Sequence, residues 1–205
     1  MIRLHGTSHI ATESIEEVHT TIRETDPDVV AVELDPKRLY ALQHDIQDYS
    51  IRKPFLSIIK LVQDHLSRKT GVTPGSELLE AVQEAERQGI PVALIDQDIE
   101  QTMQRLRDVS LIEKLKIVAY LLVGVFIPFG SRINLEEVPD QAFIHQLLER
   151  LRISFPQLYQ VLIVERNEFM ASALLDLEQE YGTVLAFVGA GHVEGIRDLL
   201  DGNRY

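Results

Sequence analysis

Four short runs with strand character, each followed by a segment of helical spacing, limit this chain to few architectures. Met1–His5 opens the series. Asp28–Leu34 (DVVAVEL) is a short apolar run rich in β-branched residues, as a strand buried on both faces should be. Ile90–Asp96 (IPVALID) and Thr183–Val188 (TVLAFV) read the same way. Between them lie helices. Ser14–Thr25 carries Ile15, Val18 and Ile22 on one face, with Ser14 and Glu17 in a capping-box pattern. Pro36 suits the first turn of the next helix, and Pro74–Gly89 is amphipathic and closed by glycine. Ile99–Asp108 resumes helix, a long helix covers Pro156–Tyr181, and another starts at Val193. Strand alternating with helix predicts an α/β fold with a mainly parallel central sheet covered by helices.

Leu111–Leu151 breaks the rhythm, with helical spacing throughout and no strand candidate. It is expected to be a helical insertion or lid within one domain spanning 1–205, and a possible homodimer surface. Its apolar core, Ile117–Gly130, falls short of the ~20 residues of a spanning helix and is interrupted by Gly124 and Pro128. A buried or interface helix is the expectation there, with shallow membrane contact the alternative. Polar His5, Thr7 and Ser8 interrupt the amino terminus too early for a signal peptide. A formal charge of −12 without a dense basic cluster argues against nucleic acid as a partner. Cysteine is absent, so any metal must be held by His, Asp or Glu, and a reducing, cytoplasmic setting fits.

In open α/β sheets, ligands bind at the carboxyl ends of the strands. The first strand leads to Gly6 and His9, the second to Glu33 and Asp35, the third to Asp96 and Asp98. The last leads to Gly189, Gly191 and His192. Two Gly-x-x-His stretches and at least one carboxylate would meet on one rim if these strands are parallel neighbours. Two imidazoles and a carboxylate form a metal triad that leaves a position open for water. Each residue has an ordinary reading beside this one: a loop histidine, a helix-capping acid, a turn glycine. No Gly-x-Gly-x-x-Gly or Gly-Lys-Ser/Thr pattern supports a phosphate loop, no HExxH a zincin, and no Gly-x-Ser-x-Gly an α/β-hydrolase.

On the long helix, Leu162, Met170, Ala173 and Leu177 form an apolar face with Arg166 in its middle. A guanidinium facing a core is costly unless carboxylates pair with it. Arg166 should therefore meet Glu33 or Asp96, either as a structural ion pair or to orient a ligand carboxylate or a developing oxyanion. Arg38 and Arg105 could fold back over the rim or lie solvated. His5, His19, His44, His65 and His145 are read as ordinary.

GTSHIATESIEEV, PDVVAVELDPKRLYAL, GVTPGSELLEAVQEAERQGIPVALIDQDI, VERNEFMA and VGAGHVEGI together resemble the TraB/PrgY family. That family is grouped with the Tiki and GumN proteins and, more distantly, with erythromycin esterase and ChaN-like proteins. The likeness runs along the whole chain and is weakest over Leu111–Phe155. It implies a sheet that brings the two histidines together, and metal-dependent hydrolysis of peptides as in Tiki relatives. Carried over, the metal ligands are His9, Glu33 and His192. Arg38 follows the Val-Glu-Leu segment, and Glu165, Arg166 and Asn167 match the helix motif. Asn167 stands where many TraB relatives have Asp, and Gln97 where many have Arg in Asp-Arg-Asp. Many relatives continue into membrane helices, so a chain stopping at Tyr205 is expected to be the soluble domain alone.

The expectation is thus a metallopeptidase using Mn, Co, Zn or Fe, with Glu165 as general base or fourth ligand. Two alternatives stand beside it. One is a peptide-sequestering regulatory module with a vestigial site, compatible with the pheromone-blocking role associated with PrgY. The other is a metal-free, esterase-like hydrolase with a histidine base.

Overall fold

The structure, a computed structural model, describes residues 1–7, 13–44, 46, 75–126 and 141–202. Its sheet contains β1 (Ile2–Thr7), β2 (Val29–Val32), β3 (Val92–Leu94) and β4 (Val184–Gly189), in the order β1-β4-β2-β3. Every neighbouring pair is parallel, with Thr7 opposite Gly189 and Val32 opposite both Phe187 and Leu94. The expected α/β class is therefore what forms. β1 runs two residues past the sequence boundary at His5 because β4 continues to Gly189 and pairs with it.

The connecting helices are α1 (Glu13–Thr25), α2 (Pro36–Gln43), α3 (Ser76–Gln88), α4 (Ile99–Asp108), α5 (Leu111–Phe126) and α6 (Gln141–Ser154). A short α7 (Pro156–Tyr159) runs through a π-helical turn, Gln160–Val164, into α8 (Glu165–Tyr181). After β4, α9 (Ala190–Gly202) closes the described fold. Because α1 begins at Glu13, Ser14 lies inside it rather than at the expected capping position.

Side chains alternate across the sheet as period-2 strands require. On one face Val29, Ala31, Ala186 and Val188 pack against Met170, Ala171 and Leu174 of α8 and Val193, Ile196 and Leu200 of α9. On the other, Val30, Val32, Leu185 and Phe187 pack against Val18 and Ile22 of α1 and Leu78, Ala81, Val82 and Ala85 of α3. A smaller cluster, built on Leu106, Val109, Leu158 and Val161, also takes in Ile117, Leu151 and Leu162. Leu162 therefore does not share the core face of Met170: the π turn adds a residue to the helical period and separates the two stripes.

Segment 111–151 is helical where described, while 127–140, including Pro128, lies outside the described residues. Buried Glu113 accepts the backbone N–H groups of Gln157 and Leu158 at 3.1 Å each, at the amino end of α7. A carboxylate there satisfies donors that a helix start leaves open, and fastens α5 to the long helix. Among the described residues, no helix is long and apolar enough to cross a membrane.

Candidate functional site

The carboxyl ends of β2, β3 and β4 converge. Glu33 follows β2 directly, and its N–H continues the ladder to the Phe187 carbonyl at 3.0 Å. Its Oε2 accepts the Gly189 N–H at 2.6 Å, where β4 passes straight into α9. That helix starts at Ala190, three residues before the expected start at Val193, so His192 sits in its first turn rather than in a loop. Asp96 lies just past β3, and its own Oδ1 accepts the Gln97 N–H at 2.9 Å.

Arg166, on the second residue of α8, ties these ends together. Its Nε donates to Asp96 Oδ1 at 3.0 Å and its Nη2 to Asp96 Oδ2 at 2.7 Å, a fork-to-fork pair. Nη2 also donates to Glu33 Oε1. Nη1 reaches His192 Nε2 at 3.1 Å and the Leu162 carbonyl, on the π turn, at 3.4 Å. Arg38 adds a second guanidinium, 2.7 Å from Asp96 Oδ2. The carboxylates expected to meet Arg166 are both there, and all three side chains are buried or nearly so, at 14, 8 and 3% exposure for Arg166, Glu33 and Asp96.

The His192 tautomer follows from its neighbours. Arginine can only donate, so Nε2 facing Nη1 must carry the lone pair. Nδ1 then carries the proton and donates to Asn167 Oδ1 at 2.6 Å. Burial pushes the His192 ring below its ordinary value, against the pull of Glu33, so the ring is neutral. Burial would raise the Glu33 carboxyl, but His192, Arg166 and the Gly189 amide more than reverse this and hold it at about 2. Burial also opposes the Arg166 charge, and Glu33 and Asp96 outweigh it.

These shifts predict acid lability. His192, depressed from 6.5, contributes stability present above pH 6.5 and lost as pH falls below it. Glu33, depressed from 4.5 to about 2, contributes stability present above pH 4.5 and lost between there and pH 2. The Glu33 share is of order 3 kcal/mol. Urea unfolding at pH 7.5, 5.5 and 4 should show two successive losses, the first absent in His192→Gln. A flat profile would contradict the buried network.

Not every expected residue joins the cluster. Glu165 points to Arg105, whose Nε donates to its Oε2 at 3.1 Å, and among the described residues its polar contacts are spent there. Asp35 caps α2, its Oδ1 accepting the N–H groups of Lys37 and Arg38, and Asp98 caps α4 and pairs with Lys37. His9 lies outside the described residues. Two positioning roles escaped the sequence reading. Asp96 appeared there as a strand-end acid and a partner for Arg166, without the second role it has here, anchoring Arg38 as well. Gly195 packs against the amide of Asn167 so closely that a Cβ would fall 2.1 Å from its Nδ2. A glycine inside a helix was the available signal.

The donors suit a divalent ion in type, spacing and protonation. Glu33 Oε1 and His192 Nε2 are 3.5 Å apart. Two donors held at ~2.1 Å by one ion sit about 3.0–3.5 Å from each other. Glu33 is ionised and His192 neutral, the states a ligand needs, and a carbonyl oxygen on the far ring nitrogen is what commonly orients a ligating histidine. A second group is formed by His19, read above as ordinary. Its Nε2 is 2.8 Å from Glu80 Oε1 and 3.8 Å from Glu84 Oε2, with Arg87 bridging both carboxylates.

The profile of the TraB/PrgY/gumN family matches residues 1–204. The chain belongs to this family. An uncharacterised protein of Methanocaldococcus jannaschii is 34% identical over 209 residues, covering 95% of this chain and 52% of that protein. TraB domain-containing proteins of Bos taurus and Homo sapiens are 29% and 27% identical over 230 residues, covering 93% of this chain and 60% of each. The chain thus spans between about half and three fifths of the length of these relatives. In this TraB-family chain, the Glu-Arg-Asn segment supplies the cluster's hub and the histidine's orienting amide, and the second Gly-x-x-His supplies the imidazole.

Proposed function

We propose that the chain is a divalent-metal-dependent hydrolase, a metallopeptidase acting on peptides. The observation that carries this reading is the Glu33–His192 pair, an ionised carboxylate and a neutral, amide-oriented imidazole with donor atoms 3.5 Å apart. Glu33 and His192 would hold the ion, with His9 as the third ligand expected from the sequence. Nitrogen and oxygen donors leave Mn, Co, Zn and Fe open. A bound ion there supplies a water whose pKa falls from ~16 toward ~7.

The chain's own residues do the rest. Asn167 keeps the proton on His192 Nδ1, and the Gly189 amide fixes Glu33. Arg38, part-exposed beside Asp96, offers positive charge to a developing oxyanion. Glu165 would serve as general base only after exchanging its Arg105 partner. Leu148 of α6 lies 3.8 Å from where a Gly191 Cβ would stand, so the helical segment flanks the site and would wall a peptide channel. Nothing in this chemistry uses a thiol, and a cytoplasmic setting is part of the proposal.

The Asn167–His192 hydrogen bond favours one further reading, a metal-free hydrolase with His192 as general base. Elemental analysis and Co²⁺ titration in a Glu84→Gln background, which silences the surface group, separate the two. One equivalent of metal should be bound, lost in His192→Ala, and required for cleavage of a peptide library. Turnover that survives chelation moves the chemistry to the His192 base. Peptide binding without turnover leaves a sequestering module.

A further inference from the structure

Arg166 touches the same two atoms that a metal would need. Its Nε and Nη2 are anchored on Asp96, and its outer edge spends Nη1 on His192 Nε2 and Nη2 on Glu33 Oε1. A neutral imidazole nitrogen has a single lone pair, which cannot serve an N–H donor and an ion together. Charge points the same way. Glu33 and Asp96 are balanced by Arg166 and Arg38, so the closed cluster holds no surplus negative charge for a dication. At a few ångströms in a water-poor setting, a guanidinium and a divalent ion repel strongly.

We propose that Arg166 is a built-in cationic latch: its guanidinium keeps the ligand atoms of Glu33 and His192 closed, and a divalent ion enters only when Arg166 releases both. The inference rests on the metal reading above. Because the guanidinium is rigid and planar, Nη1 cannot leave His192 nor Nη2 leave Glu33 while the Asp96 fork stays fully made, so release moves the whole group. Arg38 holds Asp96 independently, so Asp96 stays paired while Arg166 moves, and the rim then carries one surplus negative charge for the ion. The latch makes the site selective, since only an ion bound strongly by imidazole and carboxylate displaces the guanidinium.

The test is Co²⁺ and Zn²⁺ affinity, measured by direct titration in the Glu84→Gln background, for the wild type, Arg166→Lys, Arg166→Met and Arg166→Met/His192→Ala. A merely structural arginine predicts weaker binding on its removal. The latch predicts tighter binding, on the order of 10- to 100-fold for Arg166→Met, with Arg166→Lys between and the double variant losing the ion. Added Zn²⁺ should also raise the melting temperature of Arg166→Met more than that of wild type. Should Arg166→Met fail to fold, Arg166→Lys and ¹⁵N spectra of the wild type decide. On Zn²⁺ addition the Arg166 Nε–H and His192 Nε2 signals should shift along one curve. Equal or weaker affinity in the arginine variants, or a His192 shift with Arg166 unmoved, overturns the latch and leaves the metal reading standing. No ion bound by any variant overturns both.

Discussion

Replacing Arg166 with methionine is expected to destabilise the metal-free protein by about 3–5 kcal/mol at pH 7.5, the range for stripping one partner from a buried ion pair. Methionine keeps much of the stem and removes the charge. Asp96 would retain Arg38 and the Gln97 N–H, but Glu33 would keep, among the described residues, the Gly189 amide, the neutral His192 ring and the more distant charge of Arg38. The pH dependence distinguishes this from lost packing. Without the guanidinium the folded-state pKa of Glu33 rises, so the variant sheds less stability than wild type as pH falls through 4.5. The gap between the two proteins should therefore narrow in acid. Urea unfolding at pH 7.5 and 3 measures it. A loss below about 1 kcal/mol, the scale of an exposed pair, or a gap independent of pH, would mean that the cluster is solvated rather than buried.

Gly195→Ala is expected to weaken the site from outside it. The new Cβ would fall 2.1 Å from Asn167 Nδ2, far inside van der Waals contact, and Asn167 is itself buried. Asn167 must swing away and release the His192 Nδ1–H bond. The imidazole then loses the contact that fixes its tautomer and aim. Losing such an orienting partner typically weakens metal binding or activity by 10- to 100-fold, and crowding a packed helix contact costs about 1–3 kcal/mol. Asn167→Ala combined with Gly195→Ala removes the clash and leaves the lost orientation. The double variant should regain stability without regaining affinity. If Gly195→Ala alone bound metal like wild type, Asn167 would not be what orients the ring.

Much of this was legible in the chain because period and charge are local. Buried β-branched runs announced β2 and β4, and Arg166 in an apolar face demanded carboxylates that the strand ends then supplied. Three details were not legible, for physical reasons. The sheet order depends on which strand edges meet across long separations, and no window of sequence carries that. The π turn depends on an i→i+5 bond from Glu165 N–H to the Gln160 carbonyl, a backbone choice without a residue signature. The Glu165–Arg105 pair turned the expected base aside, because which of two adjacent helical residues, Glu165 or Arg166, faces the rim is set by that turn.

The sheet order has a consequence for how the protein is made. β1 pairs with β4, some 180 residues further along, and β4 separates β1 from β2. At ribosomal rates of 5–20 residues per second, β1 waits roughly 10–40 s for its neighbour. Until Gly189 and His192 have been synthesised, Glu33 lacks the amide and the imidazole it meets in the fold, so the chemistry-bearing rim cannot be complete before then. Assembly of the site and completion of the sheet are one event, and a chaperone holding the nascent chain would be holding an unpaired parallel edge, the slowest kind of contact to close.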